Sequence, residues 1–261
     1  MYLICSVMEY FVEKGSVVRK IWGKSDIILF IFAGASAEFA LNKAVDWLYF
    51  TGKLPADPLG RLFSTVSYAR KIVFSSRQEA HKTIDHIHAI HQGVERSRKD
   101  TIPDWAYRDV LFLLIYYSQA AFELLERKMS LKEKEDLFQV FFRVGDRMGL
   151  KELPGAYNEW EHSRQVHLEQ DLEKSEFTLD LFKQYRKHLG AARFKVLIEA
   201  QKLVIPARVK SLLDFRDQQW MRLVVPFYKF SRKVSIDRLI KELLLPSAYK
   251  ARIKALDIYE S

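Results

Sequence analysis

The spacing of apolar residues along the chain is helical almost throughout. Apolar positions recur every three or four residues, and an alternation of period two bounded by hairpin turns is not sustained. The pattern therefore predicts an all-α protein, a single globular multi-helix domain over residues 1–261 with roughly ten or more helices. Residues 177–261 are predicted to form a basic helical part of that same domain.

Turn-forming and capping residues divide this pattern into separate helices. Pro58 suits the first turn of a helix, and Ser130 with Glu133 three residues later matches a capping box. Gly149 is a candidate carboxy-terminal cap. The predicted helices are 2–13, 25–50, 59–74, 77–96, 104–128 and one starting after residue 130, followed by others divided near Gly190, Pro206, Pro226 and Pro246.

Two apolar runs are predicted to be buried core helices rather than membrane spans. Ile27 to Phe50 contains three charged residues, and Val110 to Phe122 is shorter than the roughly 20 residues that a span requires. The amino terminus lacks the basic region and the cleavage site of a signal peptide. Cys5 is the sole cysteine, so no internal disulfide can form. These features predict a cytoplasmic protein.

The positive charge is concentrated in the last third of the chain. Lys183 to Lys254 contains 18 Lys and Arg against 5 Asp and Glu, a local charge of +13, which leaves −4 of the net +9 for the rest. Such an excess fits a solvated helix surface, an anionic membrane surface or nucleic acid. Because no RNA-binding or helix-turn-helix signature is present, nucleic acid is not expected. A peripheral contact with an anionic membrane remains open beside the solvated surface.

The stretch KTIDHIHAIHQG is the most unusual in side-chain chemistry. On a helix, His81, Asp85 and His88 fall within about 60° of one another, and His91 lies beside His88. A metal site from His88 and His91 or from His81 and Asp85, a general acid or base, a single axial ligand to haem iron, and an ordinary solvated or core histidine all fit this spacing. Structural zinc is not expected, since only one cysteine exists and the zinc-protease helix motif is absent.

Several segments taken in order carry a family resemblance. Between about Ser25 and Ser163 the chain resembles the catalytic domain shared by rubber oxygenases (latex-clearing proteins) and the ER-bound oxygenase MpaB of mycophenolic acid biosynthesis. The segments that match in order and rough spacing are Gly34 with its small neighbours, DPLGRLFSTVSYARKIVFSS, IDHIHAIHQGV, YRDVLFLLIYYSQAAFELL, MSLKEKEDLFQVFFRVGDRMG and ELPGAYNEWEHS.

The resemblance implies a cofactor and a set of site residues. It implies haem b with His88 as the proximal iron ligand, and Arg61 and Thr65 as catalytic residues that also line the cofactor pocket. A cation near dioxygen or a propionate stabilises negative charge, which gives Arg61 a physical role. Glu38 and Tyr117 are secondary candidates for the pocket. The implied activity is oxygenation, with dioxygen, of an apolar substrate such as an isoprenoid.

Three departures from the family pattern favour a second hypothesis. The lysine that rubber oxygenases place before the threonine is Ser64, the family's His-Pro is Leu41-Asn42, and its Trp-x-His is the segment 115–117, Ile-Tyr-Tyr. Losing these polar residues would suit a non-enzymatic helical protein that binds haem or an apolar ligand without dioxygen chemistry.

Overall fold

The computed structural model describes residues 9–216 and 225–229, and the described chain is all-α as predicted. Residues 9–216 form eleven helices and contain no strand beyond two isolated bridges, while 225–229 add one helical turn. The helices are α1 (Val17–Trp22), α2 (Ser25–Phe39), α3 (Val45–Phe50), α4 (Lys53–Ala56), α5 (Pro58–Phe74), α6 (Arg77–Arg98), α7 (Asp104–Leu125), α8 (Leu131–Arg147), α9 (Tyr157–Gln170), α10 (Glu176–Val204) and α11 (Ala207–Leu212).

Helices α2 and α7 form the centre of the core. Both are apolar on nearly all sides, and α1, α5, α8, α9 and α10 pack around them. Gly34 allows their close approach, because a Cβ at this position would lie 2.2 Å from ring carbons of Tyr117. None of the described helices combines the length and the apolar run that crossing a bilayer would require.

Two of the predicted helices differ from the structure. The helix predicted over 2–13 is wrong for its described part, since residues 9–13 are not helical. Tyr10 instead forms an antiparallel bridge with Ser76, and the Phe11 amide donates to the Ser75 carbonyl at 3.2 Å. This segment therefore pairs its backbone with the α5–α6 turn rather than with itself. The rest of that prediction, and the one near Pro246, lies outside the described residues.

The helix predicted over 25–50 is interrupted at residues 40–44. The side-chain oxygen of Asn42 accepts from the Ala44 amide at 2.8 Å and so replaces a helical hydrogen bond. The same loop pairs with the α9–α10 loop, where the Lys43 amide donates to Asp171 and the Glu173 amide donates to Leu41.

Other predicted boundaries are confirmed. The capping box of Ser130 and Glu133 begins α8, Pro58 lies in the first turn of α5, and Gly149 has a positive φ just after α8. Gly190 interrupts α10 with a φ of 76°, and Pro206 separates α10 from α11.

Candidate functional site

Helices α5 and α6 form a hairpin that carries Arg61, Thr65 and His88. Because only Ser75 and Ser76 connect the two helices, they run antiparallel. The rings of Tyr68 and His86 lie 6.1 Å apart and fix the register of the pair. The charges of Arg61 and His88 both act on the ring of His91, so the hairpin brings these three side chains into one region. Thr65 lies one turn after Arg61 on α5.

Two imidazoles of α6 have nitrogens that lack a partner. The Nδ1 atoms of His88 and His91 are buried and have no hydrogen bond among the described residues. The other ring nitrogen of His88, Nε2, lies 2.9 Å from Nε2 of Gln92. The ring of His91 packs 5.1 Å from that of Tyr107. Buried polar atoms are normally satisfied, so these two nitrogens are candidates for a further interaction.

Positive charge acts on His91, whereas the Asp85 carboxylate interacts electrostatically with His88. Burial, and then the charges of Arg61 and His88, lower the pKa of His91 to about 4, so its ring is neutral at pH 7. Burial also lowers the pKa of Arg61, and no carboxylate among the described residues pairs with its guanidinium. The Thr65 hydroxyl donates to the Arg61 carbonyl at 3.4 Å. A partly buried cation without an acidic partner is a site suited to an anionic group.

Asp85 and His81 of the same stretch have different surroundings. The carboxylate of Asp85 accepts two hydrogen bonds from Arg147, at 2.8 and 2.7 Å, and this ion pair joins α6 to α8. His81 packs edge-on against Phe11 at 6.0 Å. Asp85 is thus engaged by an arginine, and this contact does not support a metal site from His81 and Asp85.

Glu38 and Tyr117 lie in a separate, fully buried polar network. The Glu38 carboxylate on α2 accepts two hydrogen bonds from the Arg164 guanidinium on α9 and one from the Tyr117 hydroxyl at 2.8 Å. Nε2 of His167 lies 3.2 Å from the same carboxylate. These contacts join α2, α7 and α9 and give Glu38 a structural role. Their predicted part in a cofactor pocket remains a prediction.

The network continues from His167 to two aspartates. Nδ1 of His167 lies 2.6 Å from Asp109 and 3.2 Å from Asp171, and the Asn42 amide donates to Asp109 at 2.8 Å. Within the described chain, Asp109, His167 and Asp171 are the one group of three side chains close enough together to hold a metal ion. A proton on Nδ1 satisfies the same three side chains by hydrogen bonding.

The surroundings of Glu38 and His167 favour their charged forms, whereas burial raises the pKa of Asp109. Burial alone would raise the pKa of Glu38, but the charge of Arg164 and the hydrogen bonds from His167 and Arg164 outweigh it and lower this pKa to about 2. Burial would lower the pKa of His167, yet its hydrogen bonds to Asp109 and Glu38 raise it to about 9. His167 is therefore an imidazolium at neutral pH.

Comparison of the chain with known protein families gave a match. The model of the family described as ER-bound oxygenase mpaB/B'/Rubber oxygenase, catalytic domain, matches residues 20–243. The chain belongs to this family. Comparisons with curated proteins and with solved structures gave no match. The match extends well beyond the segment 25–163 that carries the resemblance in the sequence, and it supports an oxygenase-type function in general.

The structure shows what occupies the positions where the chain departs from the rubber-oxygenase pattern. Ser64 is exposed, and its hydroxyl donates to the Gly60 carbonyl of its own helix at 3.0 Å. Asn42 contributes to the buried network, and Tyr117 lies against Gly34. Two of the three departures therefore supply a side chain, Asn42 or Tyr117, to the buried network around Glu38.

Four members of the network were not predicted from the sequence: Asp109, Arg164, His167 and Asp171. Asp109 is a charged residue within the largely apolar helix α7, which is a signal for a buried ionic partner. Arg164 and His167 are three residues apart on α9 and so face the same way. Their partner could not be identified from spacing, because Glu38 lies 126 residues from Arg164 along the chain.

Proposed function

We propose that this protein is a haem-dependent oxygenase of the MpaB and rubber-oxygenase type. It would act with dioxygen on an apolar substrate such as an isoprenoid, with His88 as the iron ligand and Arg61 and Thr65 beside the cofactor. The family supports oxygenase chemistry in general. The haem, the substrate and the residue roles are the proposal's own.

One observation carries the proposal. The α5–α6 hairpin gathers a partly buried guanidinium and two imidazoles whose Nδ1 atoms have no partner in the described chain, and none of the described carboxylates pairs with that guanidinium. Haem b needs an imidazole for its iron and a cation for its carboxylates, and Arg61, His88 and His91 offer both. These three side chains therefore supply the chemistry that the proposed cofactor would use.

Each residue of the hairpin has a distinct task under this proposal. When bound, haem supplies the binding and activation of dioxygen. His88 would hold the iron, and Gln92, which contacts its ring, would orient it, as partners of ligating histidines do. Arg61 would stabilise negative charge on a propionate or on the oxygen side. The neutral ring of His91 would add a polar group without adding charge.

Ser64 favours a second candidate function. Because a serine stands where rubber oxygenases have a lysine, this position offers no cation, and its hydroxyl donates to a carbonyl of its own helix. A protein that binds haem or an apolar ligand without oxygenating it would tolerate that loss. Oxygen consumption by the haem-loaded protein with an isoprenoid oligomer separates the two functions, since the binding protein would consume none.

The visible spectrum of the protein after haem reconstitution tests the cofactor. We expect a Soret band that His88→Ala removes or shifts strongly and that Arg61→Gln shifts or weakens. His86→Ala is the matched control, because His86 lies on the same helix and its ring packs against Tyr68 instead. Absence of a Soret band in the wild type, or a band that His88→Ala leaves unaltered, would refute the haem assignment.

A further inference from the structure

Helix α10 presents a basic face to solvent. Lys183, Arg186 and Lys187 are spaced three and four residues apart, so they share one side of the helix, and all three are exposed. Leu179, four residues before Lys183, lies on the same side and is 61% exposed. An exposed leucine next to three cations gives this surface an apolar edge as well as a charge.

The cations of this face have no acidic partner in the described chain. Residues 181–198 contain five Lys and Arg and neither Asp nor Glu. None of these five cations is in an ion pair or a side-chain hydrogen bond with another described residue, whereas Lys174 and Lys202, on either side of the segment, both are. The acidic residues nearest along the chain are engaged elsewhere. Asp180 accepts from Tyr49 and Gln184, and Glu199 pairs with Lys202.

The opposite side of α10 is fixed to the core, which holds the basic face outward. Leu181 and Tyr185 are buried in a cluster with Val45 of α3. After the break at Gly190, the chain returns to the same cluster, where Phe194 packs 6.5 Å from Phe182. Arg193 and Lys195 then follow on the second segment of α10. The positive surface is therefore built on packed helix rather than on a loop.

We propose that this basic face docks on a membrane surface that carries anionic lipid headgroups. The face consists of Lys183, Arg186 and Lys187 with Leu179 at its edge. Cations without an acidic partner in the described chain are complementary to a negatively charged leaflet, and an exposed leucine beside them can enter the region between headgroups and acyl chains. The apolar edge favours lipid over nucleic acid, because acyl chains offer an apolar region for the leucine whereas nucleic acid would be bound mainly through its phosphates. The proposal is independent of haem and of oxygenase activity.

Co-sedimentation of the full-length chain with vesicles tests the proposal. Vesicles of phosphatidylcholine alone are compared with vesicles that also contain phosphatidylserine, at about 0.1 M and about 0.5 M salt, because salt screens this attraction. Each cation near an anionic surface contributes a factor of about five in affinity. The variant Lys183→Gln/Arg186→Gln/Lys187→Gln should therefore bind anionic vesicles about a hundredfold more weakly.

Two further variants make the result specific to this face. Lys20→Gln/Lys71→Gln/Arg96→Gln removes the same charge from exposed positions on α1, α5 and α6 and should bind vesicles nearly as the wild type does. Leu179→Ser should weaken binding by a similar factor at both salt concentrations, because salt screens the charges and not the apolar contact.

Three outcomes would overturn the proposal. They are equal binding to neutral and anionic vesicles, equal losses in the two triple variants, and binding to a single-stranded RNA but to neither kind of vesicle. The last outcome would assign the face to nucleic acid instead.

Discussion

The ion pair between Glu38 and Arg164 makes the sharpest stability prediction. Removing one partner of a buried, hydrogen-bonded pair costs about 3–5 kcal/mol, because the other charge stays buried. The lowering of the Glu38 pKa from 4.5 to about 2 corresponds to about 3 kcal/mol. Glu38→Gln should therefore lower the free energy of unfolding by about 3 kcal/mol at pH 7, measured by urea denaturation followed by circular dichroism.

The pH dependence of this contribution has a fixed sign. A carboxyl whose pKa is lowered in the folded state stabilises that state above its unfolded pKa. The contribution of Glu38 is thus fully present above pH 4.5 and is lost as the pH falls towards about 2. The difference in stability between the wild type and Glu38→Gln should narrow over that range.

A double-mutant cycle separates the pair from general damage to the core. Glu38→Gln and Arg164→Met share one network, so the double variant should lose about 2 kcal/mol less than the sum of the single losses. Asp85→Asn is the matched control, because Asp85 also accepts two hydrogen bonds from an arginine but is exposed to solvent. Its loss should be small. Additive single losses, or a loss at Asp85 equal to that at Glu38, would refute the reasoning.

Three further predictions concern packing, pH and capping. Gly34→Ala should lower the free energy of unfolding by about 1–3 kcal/mol, because its methyl group would overlap the Tyr117 ring. Gly93→Ala on α6 meets nothing closer than 3.9 Å and should not destabilise the protein. Thermal melts compare the two variants. The stability that the His167 imidazolium provides is complete below pH 6.5 and should be lost as the pH rises through about 9, with a weaker decline in His167→Gln. Ser130→Ala should cost about 1 kcal/mol in urea denaturation by removing the α8 cap.

The sequence predicted the helices well where the signal was local. α5 and α6 begin within one residue of their predicted starts, because Asp57 and Ser76 cap them with their own side chains. The helix over 2–13 failed in residues 9–13, since the backbone of that segment is paired with the α5–α6 turn. Apolar spacing reports which side chains are buried, but it does not report which backbone groups bond across the fold.

The same difference applies to the candidate site, where residues in local motifs were predicted and residues joined only by long-range contacts were not. Arg61 and Thr65 could be chosen with His88 because family motifs mark them, and the hairpin that unites them needs only a short turn. The network around Glu38 depends on helices far apart in the chain. An acid at Asp109, next to the apolar run of α7, indicates that a buried partner exists, but only the packing of α7 against α9 shows that His167 is the partner.

The pairing of the α2–α3 loop with the α9–α10 loop makes the polar end of the network a single cooperative unit. The amides of Lys43 and Glu173 donate in opposite directions across the two loops, directly beside Asn42 and Asp171. The two bonds lie on either side of the bridge between Asn42 and Leu172, so separating the loops breaks both. Exchange of these two amides with solvent should therefore follow one shared opening event, at a rate set by the stability of the ion network beneath them.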